Sequence, residues 1–103
     1  MRKLQDDPGL DQLLESGKSG FFPLFYQDWI VESFNNSINI TSMPFSRAVE
    51  TVHRVYKQIE GHPTLEKKKF AIQALAEPER KDFVLSFMKM VEYRSLDTLR
   101  DLH

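Results

Sequence analysis

The stretch PFSRAVETVHRVYKQIEG, residues 44–61, decides the fold class of this chain. Pro44 stands where a helix can begin and Gly61 where one can end, because proline fits a first helical turn and glycine a helix terminus. Between them the apolar side chains recur every three or four residues, the spacing of one helical face: Phe45, Ala48, Val49, Val52, Val55, Tyr56 and Ile59. The sequence therefore predicts an amphipathic helix whose apolar face packs against other helices.

The other four prolines divide the rest of the chain in the same way. Each stands at or just before a stretch with helical spacing, and none interrupts one: Pro8, Pro23, Pro63 and Pro78. Proline damages a helix beyond its first turn, so its placement marks helix starts. We expect helix in more than about 60% of residues. A second helix should run from Phe22 or Pro23 to about Asn35, and a last short helix should follow Ser95. Breaks are expected near residues 17–21, 36–43, 61–63 and 76–78.

One short stretch lacks helical spacing. Ile38, Asn39, Ile40 and Thr41 alternate between apolar and polar side chains, which would suit an extended segment. The sequence offers no second strand to pair with it. We therefore expect a loop that places both isoleucines in the core.

These patterns together predict an all-α fold, a compact antiparallel helical bundle of about four main helices plus short terminal helices. The stretch from Ser16 to Gly20 has the composition of a flexible connection. We expect residues 1–20 to form a short N-terminal helix with a flexible linker, and residues 21–103 to form a single helical bundle domain. The core should contain Trp29, Val52, Val55, Phe83 and Phe87.

Composition limits the classes of function. The chain has 103 residues, of which 41% are hydrophobic, so one domain with its own core is expected. Its net charge of −1 provides no overall attraction to nucleic acid or to an anionic membrane. The absence of cysteine excludes disulfides, cysteine nucleophiles and thiolate metal sites. Asp6 and Asp7 stand where a signal peptide needs an apolar run, and no apolar run is long enough to span a membrane. We expect a soluble, cytoplasmic protein.

Histidine and acidic residues give only weak signals for chemistry. Glu50 and His53 have the Glu-x-x-His spacing with which helical bundles bind metal, but such sites need a second pair, which the sequence lacks. His62 precedes a proline and His103 is the last residue, and no histidine has a visible acid–base partner. The glycine spacing matches no phosphate-binding loop. We expect no catalytic residues, no metal and no cofactor, and we interpret the protein as a non-enzyme.

The densest aromatic cluster is FFPLFY, residues 21–26. It is larger than the end of one helix can bury, and exposed aromatic side chains often anchor protein interfaces. We predict a partner-binding surface formed by Phe21, Phe22, Phe25 and Tyr26. The alternative is that these side chains fill the gap between the short first helix and the bundle.

A basic run gives a competing prediction. The segment 64–93 reads as helix, tight break, helix, and its basic residues could contact a DNA backbone as in a helix-turn-helix: Lys67, Lys68, Lys69, Arg80 and Lys81. Against this, Glu79 and Asp82 stand at the end of the second helix that should approach phosphates. That helix also lacks Asn or Gln to read base edges.

The sequence therefore favours a small non-catalytic helical interaction protein, a regulator, adaptor or assembly factor acting through protein–protein contacts. Its partner would be another protein or a second copy of itself. The alternative is a DNA-binding regulator that uses residues 64–93. A basic stripe on the folded surface would favour the alternative, and an apolar patch would favour the interaction protein.

Overall fold

The computed structural model of the chain describes residues 9–101, with side chains except at position 37 and over 97–101. Pro8 and His103 lie outside the described residues. Six helices make up the described part: α1 (Leu10–Lys18), α2 (Gln27–Phe34), α3 (Ser37–Ser42), α4 (Phe45–Ile59), α5 (Leu65–Gln73) and α6 (Glu77–Asp101). The structure is 76% helical, and residues 9–101 contain no strand. The predicted all-α fold is confirmed.

The bundle is organised around α6. This 25-residue helix is about 37 Å long at 1.5 Å per residue, and α1, α2, α3 and α4 all pack against it. The contact between α4 and α6 is the most extensive. Its buried apolar side chains form one broad stripe along the helix, against which neighbours can pack at different heights: Phe83, Val84, Phe87, Met88 and Val91.

The core is rich in aromatic rings. Phe25 lies at the centre, with its ring 5.0 Å from that of Phe87 and 5.9 Å from that of Phe83, both edge to face. This is the geometry that aromatic pairs prefer. All five side chains predicted for the core are buried: Trp29, Val52, Val55, Phe83 and Phe87.

The predicted loop at residues 38–41 is wrong, because Ser37–Ser42 is a helix. Residues two apart on a helix lie about 200° apart around its axis, so Ile38 and Ile40 cannot both point inwards. Ile40 is buried, whereas Ile38 is 80% exposed. The Ser42 hydroxyl donates to the Ile38 carbonyl at 2.9 Å and helps to close the last turn. The alternating pattern thus corresponds to a helix on which Ile40 points inwards and Ile38 points outwards.

The second helix begins later than predicted. It starts at Gln27, and the preceding aromatic segment is a turn in which the Phe25 amide donates to the Phe22 carbonyl at 3.1 Å. A helix over this segment would spread its apolar side chains around the axis, whereas the turn buries Phe22, Leu24 and Phe25 together. The burial of these three side chains therefore explains why the segment is a turn and not a helix.

The predicted last short helix is also wrong as a separate element. Helix α6 runs without a break through Ser95 to Asp101. Serine caps helices well, but its side chain also tolerates a helix interior, and the sequence has neither glycine nor proline between Pro78 and Asp101 to stop the helix. The signal for a new start at Ser95 was too weak to end α6.

Helix α1 packs against α6 and buries Leu13 and Leu14 in the same core as the rest of the chain. The turn after it needs Gly20, whose φ of 87° lies in the left-handed region that glycine adopts easily. The division into residues 1–20 and 21–103 stays a prediction. Within residues 9–101, no helix combines the length and the apolar character that a membrane crossing requires.

Candidate interaction surface

Three large apolar side chains stand exposed along α2 and α3. Val31 and Phe34 are three residues apart on α2 and share one face of it, and Ile38 follows on α3. Phe34 is 59% exposed and Ile38 is 80% exposed. We call these three residues the α2–α3 apolar face.

A groove of about 320 Å³ lies next to this face. The C-terminal end of α1, the turn after it, α2, α3 and α6 form its walls, with these lining residues: Gly17, Lys18, Gly20, Phe22, Phe34, Ile40, Thr41, Met88, Val91 and Glu92. An enclosed apolar cavity of about 150 Å³ is enough to hold a benzene ring. The groove therefore has room for a large apolar side chain of a binding partner.

A close approach of α1 to α6 shapes the inner wall of the groove. A Cβ atom added to Gly17 would lie 2.8 Å from Cγ2 of Val91 and 3.0 Å from Cε1 of Phe22. Glycine is the only residue that leaves both neighbours where they are. The groove thus depends on a glycine at the second-last position of α1.

Ion pairs fix α1 on α6 at the side of the groove. Nη1 of Arg94 lies 2.9 Å from Oδ1 of Asp11 and 2.8 Å from Oε2 of Glu15. Hydrogen bonds from Arg94 and from Lys18 lower the pKa of the Glu15 carboxyl below its ordinary value of 4.5. The same network raises the pKa of Arg94, mainly through its hydrogen bond to Glu15.

The charged side chains at the rim of the groove are paired within the chain. Nζ of Lys18 lies 3.1 Å from Oε1 of Glu15, and Nζ of Lys89 lies 3.2 Å from Oε1 of Glu92. Lys89 also donates to the Thr41 carbonyl at 3.0 Å and so ties α6 to α3. The rim therefore carries both signs of charge in balance around an apolar interior, an arrangement that suits a neutral apolar group.

The four residues predicted to bind a partner do not form one surface. Phe21 is 62% exposed and directly follows Gly20 of the groove, whereas Phe22 and Phe25 are buried. Tyr26 is half-buried, with its ring 4.8 Å from that of Trp29 and the Lys69 ammonium 4.6 Å from its centroid. For Phe22, Phe25 and Tyr26 the arrangement matches the alternative in which these side chains fill a gap in the bundle.

Sequence reasoning missed the exposed Val31, Phe34 and Ile38. A signal was present, because α2 carries adjacent apolar residues at Trp29, Ile30 and Val31. Consecutive residues on a helix lie about 100° apart, so they cannot all face one core. The run therefore predicts that at least one apolar side chain of α2 is exposed, but it does not tell which one.

Four of the five basic residues of the DNA-binding alternative have side chains engaged in contacts within the chain. Lys68 is buried, and its Nζ donates to the His62 carbonyl at 2.6 Å. Lys69 covers Tyr26, and Cζ of Arg80 lies 5.4 Å from the centroid of the Trp29 ring.

The remaining two basic residues are Lys81 on α6 and Lys67 on α5. Nζ of Lys81 lies 3.1 Å from Glu32 and 3.3 Å from Glu77. The hydrogen bonds to Glu32 and Glu77 raise the pKa of Lys81, and the bond to Glu32 has the larger effect. Lys67 is exposed in the first turn of α5, where its amide donates to the capping Thr64 hydroxyl. The geometry gives the DNA-binding alternative no support.

The described residues that were considered for metal binding or catalysis are all exposed. Glu50 and His53 are both exposed on α4, and His62 is exposed in the turn before α5. Among the residues that the structure describes, no three His, Cys, Asp or Glu side chains lie together as a metal site would require.

No known protein family matches this chain, and no characterised protein or solved structure is significantly similar to it. The surface has to be interpreted from its own geometry. This surface consists of an apolar groove, exposed apolar side chains beside the groove, and a rim on which positive and negative side chains are paired. Such a surface can bury apolar area against another molecule.

Proposed function

We propose that the protein is a small non-catalytic interaction module that binds a protein chain through the groove and the α2–α3 apolar face. The observation that carries the proposal is Phe34, a large apolar side chain that is more than half exposed while it lines an apolar groove. Exposed apolar surface that adjoins a hollow is typical of protein interaction sites.

The energetics support a protein partner. Full burial of a Phe or Ile side chain contributes about 1.5–3 kcal/mol, so covering Phe34 and Ile38 would supply a substantial part of a micromolar binding energy, about 8 kcal/mol. The charged rim fits the anatomy of such interfaces, in which polar residues surround an apolar centre. As a regulator, adaptor or assembly factor, the protein would act by binding its partner at this surface.

Photocrosslinking at single positions tests the proposal. Phe34 and Phe70 are each replaced by p-benzoylphenylalanine, and the two variants are produced in the cells that contain the natural protein. Phe70 is the matched control, because it is 53% exposed on α5 and does not line the groove. We expect position 34 to crosslink one defined protein, which is either the same chain or another one, and position 70 to leave that protein unlinked.

Binding by purified components completes the test. The protein crosslinked at position 34 should bind the purified chain, and Phe34→Ser should weaken that binding by about tenfold or more, as expected for an interface anchor. Equal crosslinking at positions 34 and 70, or equal affinity of the wild type and Phe34→Ser, would contradict the proposal.

A further inference from the structure

We infer that a second pocket, between α2 and α6, binds a monocarboxylate that carries one apolar ring or a short branched chain. The carboxylate pairs with Arg80, and the apolar part packs against Trp29. The pocket is separate from the groove, because no described residue lines both hollows. The inference therefore goes beyond the proposed function and does not depend on it.

The pocket has the size of a single ring. Its volume of about 140 Å³ is close to that of a cavity that holds one benzene ring, about 150 Å³. Trp29 is buried on α2 and Val84 is buried on α6, and together with the partly buried Leu85 they form an apolar wall. One aromatic ring or a short branched chain fits this space.

Most of the polar side chains that line the pocket already have partners within the chain. The Ser33 hydroxyl donates to the backbone carbonyl three residues before it at 2.7 Å, and Nδ2 of Asn36 donates to the Glu32 carbonyl at 2.9 Å. Nζ of Lys81 lies 3.1 Å from Oε2 of Glu32. A ligand therefore adds little to the hydrogen bonding of these groups.

Arg80 is the exception among the polar side chains of the lining. Its guanidinium covers the Trp29 ring, with Cζ 5.4 Å from the centroid, but it has no ion pair and no side-chain hydrogen bond among the residues that the structure describes. A guanidinium carries five N–H donors in a planar fork that matches the two oxygens of a carboxylate. The group of this pocket that lacks a polar partner is thus one that selects an anion.

The charges around the pocket favour an anion of charge −1. Lys81 is already held between two carboxylates, those of Glu32 and Glu77, at 3.1 Å and 3.3 Å. Arg80 is the one cation of the described lining without a carboxylate partner. A carboxylate matches that single charge, whereas a phosphate group of about −1.5 to −2 would leave excess negative charge beside Glu32.

An NMR titration of the ¹⁵N-labelled chain tests the inference. Trp29 is the only tryptophan of the chain, so its indole N–H gives one unambiguous signal from the wall of the pocket. The probe is benzoate, with benzamide as the neutral ligand of the same shape and phenyl phosphate as the dianion. We expect benzoate to shift the signal with a dissociation constant of about 1 mM. The other two ligands should bind about tenfold or more weakly.

Variants separate the role of Arg80 from that of charge in general. Arg80→Met keeps an unbranched side chain over Trp29 without the guanidinium, and it should bind benzoate about tenfold more weakly, as loss of charge-assisted hydrogen bonds predicts. Lys67→Gln is the matched control, because it removes one exposed positive charge outside the pocket, and it should bind like the wild type. The ¹⁵N spectrum shows whether each variant is folded. If Arg80→Met is not, Arg80→Lys takes its place, and loss of the planar fork should weaken binding.

An indole signal that benzoate leaves unmoved up to about 20 mM would overturn the inference. Equal binding of benzoate and benzamide, tighter binding of phenyl phosphate, or equal affinity of the wild type and Arg80→Met would overturn it as well. N-acetylphenylalanine distinguishes the two sources of such a carboxylate. Binding tighter than that of benzoate assigns the carboxylate to the end of a peptide, weaker binding assigns it to a free small acid, and both outcomes support a carboxylate site at Arg80.

Discussion

Gly17 is the residue on which the packing of the N-terminal helix most clearly depends. It is the second-last residue of α1, and it is buried against Val91 and Phe22. Sequence reasoning treated it as the end of a helix and the start of a flexible linker. A helix-ending glycine and a glycine at a helix–helix contact look alike in one sequence, and only the position of α6 distinguishes them.

Gly17→Ala should destabilise the protein despite its better helix propensity. Alanine gains at most about 1 kcal/mol in a helix, but the new Cβ would lie 2.8 Å from a methyl group of Val91, and overpacking of this kind costs about 1–3 kcal/mol. The side chain of valine is stiff at χ1, and Phe22 crowds the other side, so the upper part of that range applies. We expect a net loss of about 1–2 kcal/mol in the free energy of unfolding, measured by urea denaturation.

Gly61→Ala is the matched control for this substitution. No atom lies within 4 Å of a Cβ built at Gly61, so the variant should be as stable as the wild type or slightly more stable. An unchanged or raised stability of Gly17→Ala would mean that α1 does not approach α6 as closely as described.

At the scale of elements, long-range contacts decide what the sequence leaves open. The bounds of α4 were predicted well, because a proline, an apolar period and a glycine agree there. The aromatic segment before α2, the short α3 and the continuous α6 were not predicted. In each case, the local signal was weak and burial against other helices determined the backbone, as at Phe22 in its turn and Ile40 on α3.

The attachment of α1 to α6 should depend on pH through Glu15. The folded-state pKa of this carboxyl is lowered by its hydrogen bonds from Arg94 and Lys18. The stabilisation is therefore complete above the ordinary value of 4.5 and is lost as the pH falls through the lower folded-state value. Glu15→Gln should be less stable than the wild type at neutral pH, and the difference should narrow as the pH falls below 4.5.

Urea denaturation at a series of pH values measures this difference. Glu50→Gln serves as the control, because Glu50 is exposed on α4 and forms no ion pair among the residues that the structure describes. It should show little difference from the wild type at any pH. A deficit of Glu15→Gln that stays constant from neutral to acidic pH would show that charge on Glu15 does not hold α1 in place.

At the scale of the whole molecule, the sequence predicted the fold class and the core but not the surface. Periodicity reveals which side chains face inwards, so Phe83, Phe87 and Val55 could be placed without coordinates. The groove is formed by residues from α1, α2, α3 and α6, and no local sequence pattern predicts that these helices pack together there. The aromatic segment was a reasonable candidate, but its burial leaves only Phe21 fully on the surface, and Phe34 and Ile38 present the larger apolar area beside the groove.

The central claim is that the groove and the α2–α3 apolar face bind a protein chain, and photocrosslinking from single positions tests it most directly. The account predicts that p-benzoylphenylalanine at position 34, in the lining of the groove, crosslinks one defined protein. The same residue at position 70, which is exposed outside the groove, should leave that protein unlinked. Equal crosslinking from the two positions, or no crosslinking from position 34, would contradict the claim.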